Sequence, residues 1–393
     1  MDTLSVGVIG AGYWGPNLIR NFAACPLTEL AAVCDANPAR LDAVRPMLGN
    51  AKAVTSLDAL LALPLQAVAI ATPVSTHFPI AQRCLEAGLH VMVEKPLAAN
   101  TAEAKALVEL ADRVGRVLMV DHTYLFSRPV HAIKEIVSRG ELGDLLYIDS
   151  VRINLGLFQR DVNVIWDLAP HDLSIIDHIL GTGGARSIAA SGCGHVDPDI
   201  EDIAYVNIDF GERLMANVHV NWLSPMKVRQ MIFAGTRKSL VFNELNPVEP
   251  IKLYDRGIEL SEGIERDGGD LDARRRLLVN YRSGDILSPR VEPAEALQAV
   301  VRHFAECIRD RATPISDGRL GLRVVRLLEA ATQSARARGM RVDLNPTTND
   351  GGSNGNGDFH APKVRSCQFP SHRAGREAGE ERHPPLLREP LRL

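Results

Sequence analysis

The feature that most constrains this chain is a glycine-rich turn near its beginning, set between two short apolar runs. The first run covers residues 6–9 and leads into residues 10–15, whose sequence G-A-G-Y-W-G has the full spacing G-x-G-x-x-G. A helix-like segment at 16–24 and a second apolar run at 30–34 follow, and the second run ends at Asp35. This order of strand, glycine turn, helix, strand and acid predicts a Rossmann unit that binds a dinucleotide.

The glycines and the acid of this unit each have a physical role in binding a dinucleotide or in packing. Gly10 permits the sharp turn, Gly12 lets a pyrophosphate approach the backbone, and Gly15 lets the helix pack against the strands. Asp35 lies 20 residues after Gly15, where an acid accepts hydrogen bonds from the ribose hydroxyls. Its charge opposes a 2′-phosphate and so favours NAD over NADP, although Arg40 is near enough in sequence to soften this preference.

Composition and charge limit the classes of protein to which this chain could belong. The chain has 393 residues, of which 46% are hydrophobic and 23% charged, and these values predict a soluble globular protein with two domains and a tail. The net charge of −4 argues against binding to nucleic acid or to an anionic membrane. Its six cysteines form no C-x-x-C pair, and no apolar run is long enough for a membrane span. We therefore expect a cytoplasmic protein with reduced thiols.

The first 121 residues alternate between short apolar runs and helix-like segments. This alternation predicts an α/β domain with a doubly wound parallel sheet. Ligands bind at the carboxyl ends of the strands in such sheets. Two of the predicted strands end at Thr72-Pro73 and at Glu94-Lys95-Pro96, which are therefore candidate site segments.

After residue 121 the pattern changes. Two pairs of alternating runs, at 203–222 and 228–242, predict hairpins in an α+β domain with an open, mostly antiparallel sheet spanning residues 122–344. One face of this sheet needs a partner, so we expect a homo-oligomer. Helices at 295–310 and 317–338 are expected to return to the first domain. Residues 345–393 are poor in apolar side chains, which predicts a disordered tail or a partner-binding one.

Three side chains outside the turn could perform chemistry. Asp167 and His171 are four residues apart and share one face of a predicted helix, where a neutral imidazole could take a proton from an alcohol. Lys95 lies at a strand end, where its ammonium could polarise an oxygen. Each residue also has an ordinary interpretation, as a surface or capping pair or a solvated lysine. The spacing of Asp167, His171 and His178 would also allow a metal, but we predict none.

Four motifs together resemble the Gfo/Idh/MocA oxidoreductases, the family of glucose-fructose oxidoreductase and inositol dehydrogenase. They are residues 8–15, Ala71-Thr72-Pro73 with His77, Glu94-Lys95-Pro96, and residues 166–172. The resemblance implies a Rossmann domain, an open-sheet second domain, and a homodimer or homotetramer. It also implies that a ring secondary alcohol and a ketone are interconverted with NAD(H) or NADP(H).

The resemblance also implies roles for particular residues. Lys95 matches the lysine that contacts substrate and nicotinamide ribose, His171 the catalytic acid/base, and Asp167 the family aspartate one turn before it. The residues expected to bind the cofactor are Gly10, Gly12, Tyr13, Trp14, Gly15, Asp35, Thr72, Pro73, His77, Glu94 and Lys95.

The substrate is expected to be a nucleotide-linked hexose or an amino sugar, as in amino-sugar or antibiotic biosynthesis. An inositol-type cyclitol dehydrogenase and a non-catalytic NAD(P)-binding sensor are the alternatives. Many relatives have an arginine-phenylalanine motif where this chain has residues 122–129, so substrate contacts in that segment are open. The segment before the catalytic helix offers candidates that could equally be surface residues: Arg152, Asn154, Arg160 and Asn163.

Overall fold

The computed structural model describes residues 3–156, 158–159, 161–181, 184–260 and 279–344. The first part of the chain forms a six-stranded parallel sheet. Its strands are β1 Leu4–Ile9, β2 Thr28–Cys34, β3 Lys52–Val54, β4 Ala67–Ile70, β5 His90–Glu94 and β6 Leu118–Asp121. They lie in the order β3-β2-β1-β4-β5-β6, and every neighbouring pair is parallel. The predicted doubly wound sheet is therefore confirmed.

Helices connect these strands. They are α1 Gly15–Ala24, α2 Pro38–Val44, α3 Leu57–Leu61, α4 His77–Glu86 and α5 Thr101–Val114. Side-chain caps fix where several of them begin. Ser56 Oγ accepts the amide of Ala59 at the start of α3, and Asn100 Oδ1 accepts the amide of Glu103 in α5.

The second sheet has nine strands and is mostly antiparallel, as predicted. Its strands are β7 Leu145–Leu155, β8 Ser187–Cys193, β9 Ile203–Gly211, β10 Leu214–Asn221, β11 Leu223–Gly235, β12 Ser239–Asn243, β13 Ile251–Leu260, β14 Val279–Leu287 and β15 Val342–Asp343. They lie in the order β14-β13-β12-β11-β7-β10-β9-β8-β15, with β7 and β10 parallel. Both predicted hairpins, β9 with β10 and β11 with β12, are present.

Four more helices are described in the second part of the chain. They are α6 Arg128–Ser138, α7 Val164–Leu180, α8 Ala296–Asp310 and α9 Gly318–Arg336. Helix α7 begins at Val164 because Asn163 caps it, accepting the amide of Trp166. Helices α8 and α9 pack against the first part of the chain, where Phe304 meets Phe22 and Arg319 pairs with Asp112.

The two faces of the second sheet differ in exposure. Alternating residues such as Ile148, Val218 and Phe233 are fully buried in the core, whereas their neighbours on the opposite face, such as Tyr147 and Met215, remain exposed. No helix in the described ranges is long and apolar enough to cross a membrane. The predicted tail, 345–393, lies outside the described residues, and the domain boundaries at 121 and 344 stay predictions.

Candidate active site

In the glycine turn after β1, close backbone contacts leave no room for a side chain at two of the three glycines. Gly10 has a φ of +98°, and a Cβ there would lie 2.5 Å from the carbonyl oxygen of Ala71. A Cβ on Gly15 would lie 2.2 Å from the carbonyl oxygen of Gly10. Gly12 differs, since its nearest neighbour would be the Arg40 guanidinium at 3.7 Å. The fold itself therefore requires Gly10 and Gly15, while the open space over Gly12 fits a cofactor pyrophosphate at the start of α1.

Asp35 lies at the end of β2, beside this turn. It is buried, with Oδ2 accepting the amide of Ala11 and Oδ1 accepting the amide of Asn37, both at 2.8 Å. A carboxylate oxygen can accept two hydrogen bonds, so each retains capacity for a ribose hydroxyl. The half-exposed Arg40 places Nη1 3.7 Å from Asp35 Oδ2. This edge of the turn thus presents both an acid and a cation.

The segments beside the expected nicotinamide position are tied to one another. His77 is buried, and its Nδ1 and Nε2 each lie 2.8 Å from a carbonyl oxygen, of Pro96 and Thr72 respectively. His77 therefore links the turn after β4 to the turn after β5. Tyr13 is 89% exposed beside the glycine turn, and Trp14 is half-buried. Contacts of these residues and of Pro73 with a cofactor remain predictions.

Lys95 and Asp167 come together from the two parts of the chain. Lys95 Nζ donates to the carbonyl oxygen of Asp167 at 2.8 Å and lies 3.5 Å from its Oδ1. Asp167 Oδ2 in turn accepts the indole N–H of Trp222 at 3.0 Å. The Asp167 carboxylate is thus occupied by Lys95 and Trp222, and the structure records no hydrogen bond from it to His171, one helical turn further along α7.

His171 lies on the same face of α7. Its ring meets Tyr124 edge to face at 4.9 Å between centroids, and its Nδ1 is buried without a hydrogen-bond partner among the described residues. Burial lowers the pKa of His171 well below its ordinary value, and the charges of Lys95 and Arg152 lower it further. The imidazole is therefore neutral at physiological pH and able to accept a proton.

A buried ionic network lies behind His171. Arg152 donates through Nε and Nη2 to Asp172, at 2.9 Å to its nearest oxygen, and through Nη1 to Glu244 at 3.0 Å. Glu244 also accepts hydrogen bonds from Arg229 at 2.6 Å and from the Tyr124 hydroxyl at 2.8 Å. Arg152 and Arg229 are register partners on β7 and β11, on the face that packs against α7. This network fixes the helix that carries His171.

The structure places the candidate substrate contacts before α7 in different environments. Arg152 is a buried strand residue that binds Asp172 and Glu244, so its alternative interpretation as a surface residue was wrong. Its buried position in the alternating pattern of β7 was the signal that sequence reasoning missed, because a buried arginine requires acidic partners. Asn163 caps α7 and donates to Glu201 at 2.7 Å. Asn154 lies on β7, and Arg160 falls outside the described residues.

Sequence reasoning also gave no role to Asp121, the last residue of β6, or to His122 and Tyr124, which follow it. Asp121 pairs in register with Glu94 on β5, and Glu94 Oε2 accepts the amide of Lys95 at 3.2 Å. Burial raises the pKa of both carboxyl groups. His122 follows and is 1% exposed, and Tyr124 lies on the 3₁₀ turn Thr123–Phe126. Only their position at the carboxyl end of a parallel strand could have marked them as candidate site residues.

The three residues whose spacing would allow a metal do not form one site. Asp167 is engaged by Lys95 and Trp222, whereas Nδ1 of His178 lies 3.4 Å from Nζ of Lys134. Within the described ranges, no group of three or more histidine, cysteine or acidic side chains could hold a metal ion.

Comparison with known proteins identifies the family. Residues 4–122 match the NAD-binding Rossmann fold of the GFO_IDH_MocA oxidoreductase family, and residues 134–344 match its C-terminal alpha/beta domain. UDP-N-acetylglucosamine 3-dehydrogenase of Acidithiobacillus ferrooxidans is 31% identical over 308 residues, which cover 77% of this chain and 90% of that protein. Its solved structure superimposes with a TM-score of 0.69 at 27% identity, covering 86% of this chain and 99% of that one.

Two further relatives have other substrates in their names. The dTDP-3,4-didehydro-2,6-dideoxy-alpha-D-glucose 3-reductase of Streptomyces violaceoruber is 31% identical over 192 residues, covering 46% of this chain and 55% of that protein. The scyllo-inositol 2-dehydrogenase (NADP(+)) of Bacillus subtilis is 22% identical over 353 residues, covering 86% and 95%. With both domain matches spanning most of the chain, the protein belongs to the NAD-binding Gfo/Idh/MocA oxidoreductase family.

Proposed function

We propose that this protein interconverts a ring secondary alcohol and a ketone on a sugar, with NAD or NADP as the redox cofactor. The observation that carries this proposal is the contact of Lys95 Nζ with Asp167, one helical turn before His171. It brings an ammonium and a neutral imidazole to the carboxyl edge of a dinucleotide-binding sheet. Such a pair suits removal of a hydroxyl proton while charge develops on the oxygen.

The residues divide the work between them. In the oxidative direction His171 takes the hydroxyl proton, and Lys95 stabilises the negative charge on the oxygen. Asp167 holds Lys95 in place, and Trp222 holds the Asp167 carboxylate. A bound nicotinamide supplies the hydride acceptor at its C4 atom. In the reductive direction His171 donates the proton to the ketone oxygen instead.

The glycine turn and the strand ends would hold the cofactor. Gly12 and the start of α1 receive the pyrophosphate, and Asp35 receives the ribose hydroxyls. Asp35 favours NAD because its carboxylate repels a 2′-phosphate, while Arg40 at 3.7 Å reduces this repulsion. Comparison of the dissociation constants of NADH and NADPH tests the choice, with tighter NADH binding expected and tighter NADPH binding contradicting it.

A nucleotide-linked hexose is the proposed substrate class, because the two relatives at 31% identity are named for nucleotide sugars. The charges around His171 add a constraint. Lys95 pairs with Asp167, and Arg152 and Arg229 share Asp172 and Glu244. This balance suits an uncharged ring at the reacting end, with the phosphates farther out. An inositol-type cyclitol is the second candidate, since the same balance suits it and an inositol dehydrogenase aligns over most of the chain.

We also infer a homodimer or homotetramer that packs through the outer face of the second sheet. That face exposes Tyr147, Tyr205 and Met215, at 41%, 46% and 53%. Burying apolar groups of this size favours association. Light scattering is expected to give a multiple of the 42.8 kDa chain mass, and Met215→Asp is expected to lower it. A wild-type monomer would contradict the inference. The free thiols among the described cysteines support a cytoplasmic location.

The test of the proposed function is absorbance near 340 nm, the band of reduced nicotinamide. Purified protein is mixed with NAD or NADP and with UDP-N-acetylglucosamine, other nucleotide-linked hexoses, amino sugars or inositols. Turnover with one class, lost in both His171→Ala and Lys95→Ala, is the expected result. Cofactor binding without turnover across the panel, in both directions, would instead favour the sensor alternative.

A further inference from the structure

A second cleft lies at the opposite end of the parallel sheet from the candidate active site. The active-site residues follow the carboxyl ends of β5 and β6, whereas this cleft lies where the two strands begin, at His90 and Leu118. The turn before β6 forms one wall, and the connection between α8 and α9 forms the other. The cleft has a volume of about 570 Å³, within the range of about 300–1,000 Å³ that is usual for small-molecule sites. Its described lining includes none of the residues proposed for cofactor binding or chemistry.

The ring of His90 defines the hydrogen bonding of the first wall. Its Nδ1 accepts the amide of Val117 at 2.9 Å, so the other ring nitrogen, Nε2, carries the proton. Nη1 of Arg116 lies 3.3 Å from this Nε2. Because a guanidinium only donates hydrogen bonds, two donors face each other, and neither has a recorded acceptor in the described part of the chain. An anionic oxygen that accepts from both donors would resolve this conflict.

The remaining charged groups of the cleft leave an excess of positive charge. Arg319 pairs with Asp112 at 2.7 Å, so these two charges cancel. Asp317 caps α9 by accepting a backbone amide of its first turn at 2.8 Å, and burial raises the pKa of the Asp317 carboxyl group. Arg311 is exposed on the second wall and, like Arg116, has no ion pair with an acid in the described ranges. The cleft therefore presents two unpaired guanidinium groups beside one carboxyl group that is engaged as a helix cap.

We propose that this cleft binds a small molecule that carries a phosphate monoester. Its phosphoryl oxygens accept hydrogen bonds from Arg116 and from Nε2 of His90, and Arg311 adds positive charge from the second wall. Guanidinium groups suit this ligand because their N–H fork matches the geometry of phosphate oxygens. The cleft is larger than a phosphate group, and its lining includes Val108 and Ile308, so the organic part of the ligand lies against apolar surface. This site is separate from the candidate active site and does not depend on the proposed reaction.

Calorimetric titration of the full-length protein tests the ligand class, with glucose 6-phosphate, inorganic phosphate, glucose and citrate as probes. Saturating NADH is present in every titration, so that the glycine turn is not free to bind the phosphate of a probe. We expect saturable binding of glucose 6-phosphate and weaker binding of inorganic phosphate. No saturable binding of either phosphate compound would overturn the proposal. Glucose binding as tight as that of glucose 6-phosphate, or tighter binding of citrate, would also overturn it, because phosphate would not be the recognised group.

Three variants test the position of the site. Arg116→Met is expected to weaken glucose 6-phosphate binding about 10–100-fold, the loss that follows from one hydrogen bond to a charged group. Arg311→Met should weaken it less, and it decides the outcome if Arg116→Met does not fold in thermal unfolding. Arg113→Met is the matched control, since Arg113 is exposed on α5 but does not line the cleft. Wild-type affinity in both cleft variants, or an equal loss in Arg113→Met, would show that the ligand binds elsewhere.

The ring of His90 gives a second measurement at the site itself. Burial and then the charge of Arg116 lower the pKa of His90 to about 4, so the free imidazole is neutral at physiological pH. In protein with ¹⁵N-labelled histidine, glucose 6-phosphate is expected to shift the His90 signal and to raise this pKa, because an anion favours the protonated ring. The signal is assigned with His90→Gln, and His219, stacked on Tyr205 in the second sheet, is the control ring. An unchanged His90 signal at saturation would remove the ligand from this cleft.

Discussion

The glycine turn after β1 and the charged end around His171 keep their shapes by different means. The turn is a continuous segment in which backbone atoms leave no room for a side chain at Gly10 or Gly15. The charged end combines residues from Glu94 to Glu244, and ion pairs and buried hydrogen bonds hold them together. The first region should therefore respond to added volume, and the second to removed charge.

This difference suits the two regions to different tasks, cofactor binding at the turn and proton transfer at the charged end. The turn supplies open space and backbone N–H groups, which recognise phosphate without titrating. The charged end contains groups whose pKa values are displaced in opposite directions, lowered for His122 and His171 and raised for Glu94 and Asp121. Displaced pKa values of this kind are typical of sites that move protons. The variants below test whether the two regions can be disabled independently.

The largest expected effect comes from Arg152→Met. It leaves Asp172 without its buried cation and Glu244 with Arg229 alone. Breaking a buried ion pair costs about 3–5 kcal/mol, which urea unfolding should detect as a lower free energy of unfolding. Arg83→Met is the matched control, since Arg83 pairs with Asp58 at the surface and such pairs contribute less than about 1 kcal/mol. Equal small losses in both variants would show that the network does not hold the charged end.

Lys95→Met tests the charge within the active site. Loss of the ammonium removes stabilisation of the developing oxyanion, and we expect kcat to fall about 10²–10³-fold while the NADH dissociation constant changes little. Steady-state assays at 340 nm and NADH fluorescence measure the two quantities. Lys105→Met, at an exposed i,i+4 pair with Glu109, should match wild type. A similar fall in affinity and kcat would mean that Lys95 mainly binds the cofactor.

Gly10→Ala and Gly12→Ala separate folding from cofactor binding within the turn. Gly10→Ala forces a side chain into left-handed backbone beside Ala71, so we expect a loss of at least about 1–2 kcal/mol of stability. Gly12→Ala meets no close neighbour and should leave stability within about 0.5 kcal/mol, but its methyl group should weaken NADH binding. Thermal unfolding and NADH titration on the same samples compare them. Normal NADH affinity in Gly12→Ala would show that the cofactor pyrophosphate does not bind against Gly12.

The last expected effect concerns the pH dependence of stability. The folded pKa of His122 is about 3, below its ordinary value near 6.5. Between these values the unfolded chain binds more protons, so stability falls as pH drops below about 6.5 and this contribution levels off near pH 3. His122→Phe should flatten the decline relative to wild type in urea unfolding between pH 7 and 4. An unchanged slope would mean that His122 titrates normally in the folded protein.

The regions also differ in how far the sequence predicts them. The parallel sheet, both hairpins and the glycine turn follow from local patterns, because spacing and alternation fix short-range structure. Motifs marked Lys95, Asp167 and His171 as candidate catalytic residues. The contact between Lys95 and Asp167 spans 72 residues, and the network joins Arg152 to Glu244 across 92. No local pattern encodes such pairings, so sequence reasoning left Arg152 as either a substrate contact or a surface residue and missed Glu244.

NADH binding by wild type, Gly12→Ala and His171→Ala is the most direct test of the central claim, which assigns cofactor binding to the turn and proton chemistry to the charged end. Fluorescence titration is run beside the 340 nm assay on the same preparations. The account predicts that His171→Ala binds NADH as wild type does but does not turn over, whereas Gly12→Ala binds it weakly. Wild-type NADH affinity in Gly12→Ala, together with lost affinity in His171→Ala, would contradict it.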